Sequence, residues 1–276
     1  MKKNILILEI LFLVGLMAAC GAVSENTSAP STDENKYAKV VEEPFDNKIP
    51  VETHWDFEKQ TFPLIAAIEE NNIYMYAIKN NNSYGNEVVL YVGDTGHFYN
   101  LPFGTPRFRM PELWLSDFDG DGVNELAATN YYDSGTGISK EGLNIIKINE
   151  SSGDRYDPWP IYTFEPEEYL EQLNSHISYK KDENSEYEYI LNIAEKEYAI
   201  EIYSDLIEEG GVLTRLDVEG SIVDFYYEDN ILKGRFVLSA TFEKFATPKF
   251  LGDIYANCVF NSGNIFSLEN ISFKSN

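Results

Sequence analysis

Short runs of alternating apolar and polar residues recur between about position 57 and position 273, and turn-forming Gly, Asn and Asp residues separate them. Alternation with a period of two is typical of half-buried β-strands. Asp229 and Asn230 have the residue types of a tight hairpin turn. The pattern predicts strands at residues 62–69, 73–78, 87–92, 97–99, 113–116, 126–132, 143–148, 187–193, 197–203, 212–218, 222–227, 231–242 and 254–260.

One segment has the signals of a helix. Pro166 suits the first helical position, and Glu167 and Glu168 suit the first turn because their charges favour a helix N-terminus. An apolar stripe with helical spacing follows, at Tyr169, Leu170, Leu173 and Ile177. We therefore expect a mainly β fold of antiparallel sheets with one short helix.

The first twenty residues predict export from the cytoplasm. Lys2 and Lys3 precede an apolar run at residues 10–17, which is too short to span a bilayer and is typical of a secretory signal. Ala18, Ala19 and Cys20 follow directly and resemble the lipobox of bacterial lipoproteins. In that family the cysteine becomes the first mature residue and carries the lipid, which implies a signal peptide at 1–19 and lipidation at Cys20. The alternative is an ordinary cleaved signal in which Cys20 has no role.

Residues 20–57 are rich in Ser, Thr, Asn, Glu and Pro, especially at 21–36, and contain few large apolar residues. Such a segment cannot bury enough surface to offset its loss of conformational entropy, so we expect a lipid-anchored disordered tether. We expect the folded part to comprise a β region at 58–182, which contains the acidic segment 117–125, and an antiparallel β region at 183–276. The alternative is that both regions belong to one domain.

Composition limits the classes of partner. The formal net charge is -25, and nucleic-acid binding needs a basic face, so we expect no nucleic-acid partner. Cys20 and Cys258 are the two cysteines of the chain. If Cys20 is lipidated or removed, the mature domain has no internal disulfide, and Cys258 is best interpreted as a small core residue.

The segment 117–125 concentrates acidic residues. Its carboxylates are those of Asp117, Asp119, Asp121 and Glu125, and Gly120 and Gly122 lie among them. Like charges placed this closely repel unless a cation lies between them. Calcium prefers six to eight oxygen ligands, and the three aspartates fall at positions 1, 3 and 5 of a calcium loop. The sequence therefore predicts a calcium site, with magnesium or a metal-free acidic turn as the alternatives.

The remaining loop positions support this ligand set. Gly122 at position 6 permits a sharp turn, Val123 at position 7 offers its carbonyl oxygen, and Glu125 stands at position 9. Position 12 holds Ala128 where an EF-hand has a glutamate, and the flanking segments are strand-like. An EF-hand is therefore not expected.

The pattern Asp-x-Asp-Gly-Asp-Gly, followed by an acid at position 9 and a strand, resembles the calcium loop of FG-GAP and VCBS-type repeats. Those repeats build extracellular β-propeller blades and integrin-like heads. The resemblance is clearest over residues 115–128 and implies metal ligands at Asp117, Asp119, Asp121, the Val123 carbonyl and Glu125. Because this chain has one such loop, the resemblance implies one or two blade-like units in a larger β domain.

These observations lead to two hypotheses on function. The first is a lipoprotein anchored to the bacterial cell membrane through Cys20, extracytoplasmic, that displays a calcium-stabilised β-rich binding or structural module for a protein or carbohydrate partner. The second is an extracytoplasmic hydrolase acting on glycan or peptide. No spacing of residues selects a catalytic group, so the sequence predicts none.

Overall fold

The computed structural model describes residues 63–80, 83–101, 110–135, 137–149, 158–202 and 204–275. The predicted signal peptide, the tether and Cys20 lie outside these residues.

Fifteen strands and two α-helices make up the described part of the chain. The strands are β1 (Leu64–Ile68), β2 (Ile73–Asn80), β3 (Ser83–Val92), β4 (Thr95–Tyr99), β5 (Leu113–Ser116), β6 (Glu125–Gly135), β7 (Ile138–Ile146), β8 (Ile161–Phe164), β9 (Ile177–Lys181), β10 (Glu188–Ile193), β11 (Lys196–Glu201), β12 (Leu213–Glu228), β13 (Ile231–Phe242), β14 (Lys249–Phe260) and β15 (Phe266–Ser275). The helices are α1 (Pro166–Ser175) and α2 (Ser204–Gly210), and a single 3₁₀ turn spans Glu69–Asn71.

The strands form three sheets. One is a four-stranded meander, β1-β2-β3-β4, and one is the three-stranded sheet β11-β10-β9. The largest has the order β15-β14-β13-β12-β7-β6-β5, with β8 paired to β7, and curls into a half-barrel. Every strand pair is antiparallel except β7 with β12, which run parallel over two residue pairs. The predicted mainly β, antiparallel class is confirmed, whereas propeller blades are not.

Two clusters of buried side chains lie on the two faces of strand β6. Ala127 belongs to a large cluster that includes Tyr169 of α1 and Phe236 of β13. Leu126 and Ala128 belong to a second cluster shared with the meander. Because alternate side chains of β6 face opposite cores, the start of β6 is held from both sides. The acidic loop that precedes β6 therefore rests on a rigid base.

Several local predictions are confirmed by the backbone. Asp229 and Asn230 both have positive φ, at 55° and 61°, as a tight hairpin turn between β12 and β13 requires. Helix α1 begins at Pro166 and buries Tyr169 and Leu173.

Other segments differ from the expectation. The described residues form two helices rather than one, and α2, with seven residues, is too short to show a periodic pattern. The stripe assigned to the helix ends early, because α1 stops at Ser175 and Ile177 begins β9. The two strands predicted at 212–218 and 222–227 form one long strand, β12, whose register shifts near Gly220 (φ 69°).

Candidate metal site

The acidic loop connects β5 to β6, and the last β5 residue, Ser116, pairs with Glu125 at the start of β6. The chain thus leaves and re-enters the same antiparallel ladder within nine residues. Gly120 and Gly122 have φ of 77° and 89°, a region that L side chains rarely adopt. These two glycines turn the loop tightly, so its side chains converge instead of spreading into solvent.

Each carboxylate of the loop accepts a backbone hydrogen bond from the loop itself. Gly122 N–H donates to Asp117 Oδ2 at 3.0 Å, and Asp121 N–H donates to Asp119 Oδ1 at 3.1 Å. Val123 N–H donates to Asp121 Oδ1 at 2.7 Å. Phe118 N–H donates to Glu125 Oε2 at 2.8 Å. The backbone of the loop therefore orients all four acidic side chains by its own hydrogen bonds.

The four side chains converge on one point. Asp117, Asp119, Asp121 and Glu125 each offer a carboxylate oxygen, and these oxygens all lie within 4.8 Å of one another. Asp117 and Asp121 are exposed, whereas Glu125 is only 2 % exposed. The cluster is therefore open to water on one side and closed on the other. Such a set of hard oxygen donors can hold a metal ion.

The carboxylate of Glu125, on the closed side of the cluster, lies in an environment that disfavours its charge. Burial raises the pKa of Glu125 above its ordinary value, and the charges of Asp119 and Asp121 raise it further. The hydrogen bond from Phe118 N–H acts in the opposite direction. The charges of two neighbouring carboxylates thus add to burial in disfavouring ionisation of Glu125, and a bound cation would relieve this repulsion.

One positive side chain already touches the cluster. Lys147 Nζ lies 3.0 Å from Asp119 Oδ2, and the two side chains are 9 % and 1 % exposed. Asn149 Nδ2 donates to the Asn124 carbonyl at 2.9 Å, which ties the end of the loop to the segment after β7. Both contacts come from residues that follow β7, the neighbour of β6 in the sheet.

An aromatic contact fixes the other side of the loop. The ring of Phe118 meets that of Tyr227 edge-on, with centroids 5.7 Å apart, and Trp114 of β5 lies 6.2 Å from the same tyrosine. Tyr227 belongs to β12, so the loop is attached to a strand far from it in sequence. Aromatic pairs of this geometry contribute about 0.5–1.5 kcal/mol beyond their buried area.

The structure brings together the four carboxylates that the sequence predicted as ligands. Val123 lies in the same loop with its side chain 44 % exposed, and a role for its carbonyl as a ligand stays a prediction. Sequence reasoning did not find Lys147 or Asn149. The available signal was the alternation of β7: Lys147, one residue past the strand, continues the side that carries the buried residues Leu143 and Ile145.

Cys258, which the sequence assigned to the core, is a free and buried thiol. Burial raises the pKa of its thiol well above the ordinary range, so the reactive thiolate is disfavoured.

In the described part of the chain, no helix combines the length and apolar character needed to cross a membrane.

Comparison with known proteins gives no relative. No protein-family model matches the chain, and no curated protein or solved structure is significantly similar to it. The similarity to FG-GAP and VCBS-type repeats therefore rests on the loop residues alone.

Proposed function

We propose that residues 117–125 bind Ca²⁺ and that the ion stabilises the β5–β6 corner of the large sheet. The observation that carries this proposal is the convergence of four carboxylates, each oriented by a loop N–H, within 4.8 Å. An all-oxygen donor set favours a hard cation, and calcium tolerates the irregular geometry of a short loop better than magnesium, which demands near-ideal octahedral coordination.

We further propose that the protein is a bacterial lipoprotein, anchored through Cys20 to the outer face of the cell membrane. The basic start, the short apolar run and Ala18-Ala19-Cys20 support this localisation. An extracytoplasmic address also suits a loop site, because extracellular modules bind calcium with dissociation constants on the order of 0.1–1 mM. In this proposal the calcium-stabilised β module serves as a binding or structural unit for a protein or carbohydrate partner.

Calorimetric titration and thermal melting of the tether-free domain test the calcium site. We expect the wild type to bind one Ca²⁺ per chain. At a calcium concentration tenfold above Kd the free energy of unfolding should rise by about 1.4 kcal/mol, which corresponds to an increase in Tm of roughly 3–6 °C. Asp121→Asn should lose most of both effects, because it removes a charged ligand and keeps an acceptor for Val123 N–H.

Asp182→Asn is a matched control for this substitution. Asp182 Oδ1 also accepts a hydrogen bond from the backbone N–H two residues later, at 2.8 Å from Asn184. It lies outside the acidic cluster, so its calcium response should equal that of the wild type. A melting temperature that is identical in calcium and in chelator for the wild-type domain would contradict the proposed metal site.

The anchor has a separate test. Mass analysis of the mature protein from bacterial membranes should show residue 20 as the first residue with a diacylglycerol-type modification on its sulfur. An unmodified mature N-terminus at another position would contradict the lipoprotein assignment and leave the calcium site unaffected.

A further inference from the structure

Lys147 is buried at the base of the acidic loop. It directly follows β7, only 8 % of the residue is exposed, and its backbone N–H donates to the Pro160 carbonyl at 3.0 Å. Leu126 of β6 pairs with Ile146 of β7, so the next position along places Lys147 opposite Glu125. The lysine therefore approaches the acidic cluster from its closed side, opposite the face that opens to water.

The ammonium group of Lys147 forms an ion pair with a carboxylate of the cluster. Lys147 Nζ lies 3.0 Å from Asp119 Oδ2, and the Asp119 side chain is 1 % exposed. The other oxygen of Asp119 accepts the Asp121 N–H. A buried charge needs a partner of opposite sign, because burial removes its hydration. Lys147 and Asp119 are this partner for each other.

We propose that Lys147 is the built-in counter-ion of the loop, which holds Asp119 in place without metal and keeps the affinity for a divalent cation low. This inference rests on the proposed function, since it concerns the same site. The ammonium lowers the formal charge of the four-carboxylate cluster from four negative charges to three. Its positive charge also remains close to the point where the oxygens converge, and it repels a second cation there.

The direction of the effect separates this role from a merely structural one. If Lys147 acted only by positioning Asp119 as a ligand, its removal would weaken calcium binding. If it acts as a competing charge, its removal strengthens calcium binding. The same change lowers the free energy of unfolding of the metal-free protein. At the dielectric constant of water, one positive charge a few Å from a divalent ion changes the affinity by about tenfold.

The experiment compares Lys147→Met with the wild type by calorimetric titration with CaCl₂ and by thermal melting in chelator. We expect the variant to bind Ca²⁺ about tenfold more tightly, because the repulsion is removed. In chelator its Tm should fall by roughly 5–10 °C, because the buried Asp119 carboxylate loses its cation. The difference in Tm between Lys147→Met and the wild type should decrease as calcium is added.

Two further variants isolate the charge. Lys147→Gln keeps an N–H donor for Asp119 without the positive charge, so it should fold even if the methionine variant does not, and it should show the same gain in affinity. Arg215→Met is the control for charge removal, since Arg215 Nε pairs with Asp217 Oδ2 at 3.1 Å near the start of β12, whereas the loop contacts Tyr227 near the end of that strand. It should leave the calcium affinity unchanged.

An unchanged or weaker calcium affinity in both Lys147 variants would overturn the inference while the proposed metal site stands. Absence of calcium binding by the wild type would overturn the proposed function. In that case binding by Lys147→Gln would support the inference, because it would show that the lysine takes the place of the cation, and absence of binding by both Lys147 variants would overturn it.

Discussion

Glu125 and Glu141 are both 2 % exposed, yet their carboxylates are stabilised in different ways. Glu125 accepts a backbone hydrogen bond from Phe118 N–H at 2.8 Å, and Glu141 accepts one from Phe225 N–H at 2.7 Å. The second oxygen of Glu141 accepts the Tyr131 hydroxyl at 2.5 Å. Burial raises the pKa of Glu125, and the charges of the neighbouring Asp119 and Asp121 raise it further. Both glutamates thus accept hydrogen bonds from neutral donors, but Glu125 lies beside like charges as well.

This difference has a structural origin in the sheet. The parallel contact between β7 and β12 covers only Ser139 with Ile222 and Lys140 with Val223. Beyond these two pairs the backbone ladder stops, and the Glu141 side chain accepts the Phe225 N–H. Glu141 is therefore a structural bridge between two strands. Glu125 lies in a loop that concentrates negative charge, which is the arrangement expected of a cation site.

The largest expected effect concerns Glu141. Glu141→Ala leaves the Tyr131 hydroxyl and the Phe225 N–H without this acceptor inside the protein, so we expect a loss of about 3 kcal/mol in the free energy of unfolding. Urea denaturation in calcium and in chelator should give the same loss. The exposed Glu188→Ala of β10 is the control, with a change of about 0.5 kcal/mol or less. A loss that depended on calcium would remove the distinction between the two glutamates.

A smaller effect is expected for calcium binding by Glu125→Gln. The amide keeps an acceptor for Phe118 N–H but removes one negative charge from the cluster. We expect the calcium affinity to fall by at least about tenfold, or about 1.4 kcal/mol, in a calorimetric titration. Glu141→Gln, which changes the other buried glutamate in the same way, should leave the affinity unchanged. Equal affinities for wild type and Glu125→Gln would exclude Glu125 as a ligand.

The smallest effect is in the pH dependence of the metal-free protein. Because the pKa of Glu125 is raised in the folded state, folding favours its protonated form, and its contribution to stability is lost as the pH rises through the folded pKa. In chelator, Glu125→Gln should therefore gain stability relative to the wild type as the pH rises from about 4 to 7. Urea midpoints measured across this range test the sign. A gain that was larger at pH 4 than at pH 7 would contradict the raised pKa.

Local patterns made much of the fold predictable from the sequence. Alternation gave the meander and most strands of the large sheet, since each strand has one face against a core. The residue types of Asp229 and Asn230 gave the hairpin turn, and the spacing of the three aspartates and Glu125 gave the convergence of their carboxylates. In each case the determining residues are close together in the chain.

Features that depend on distant contacts were not predictable. Strand β15 was missed because its alternation is interrupted at Asn270, which has φ of 51°. Lys147 is 28 residues from Asp119, and only the register between β6 and β7 brings the two together. The same holds for Glu141 and Phe225, which are 84 residues apart. Strand pairing determines which charged side chains meet, and local sequence patterns do not reveal that pairing.

The most direct test of the cation site is a crystal structure of the domain grown with calcium, with anomalous diffraction data that locate the ion. We expect a single calcium peak within about 2.3–2.6 Å of oxygens from Asp117, Asp119, Asp121 and Glu125. Crystals in millimolar calcium in which these carboxylates bind only water, with no anomalous peak between them, would contradict it.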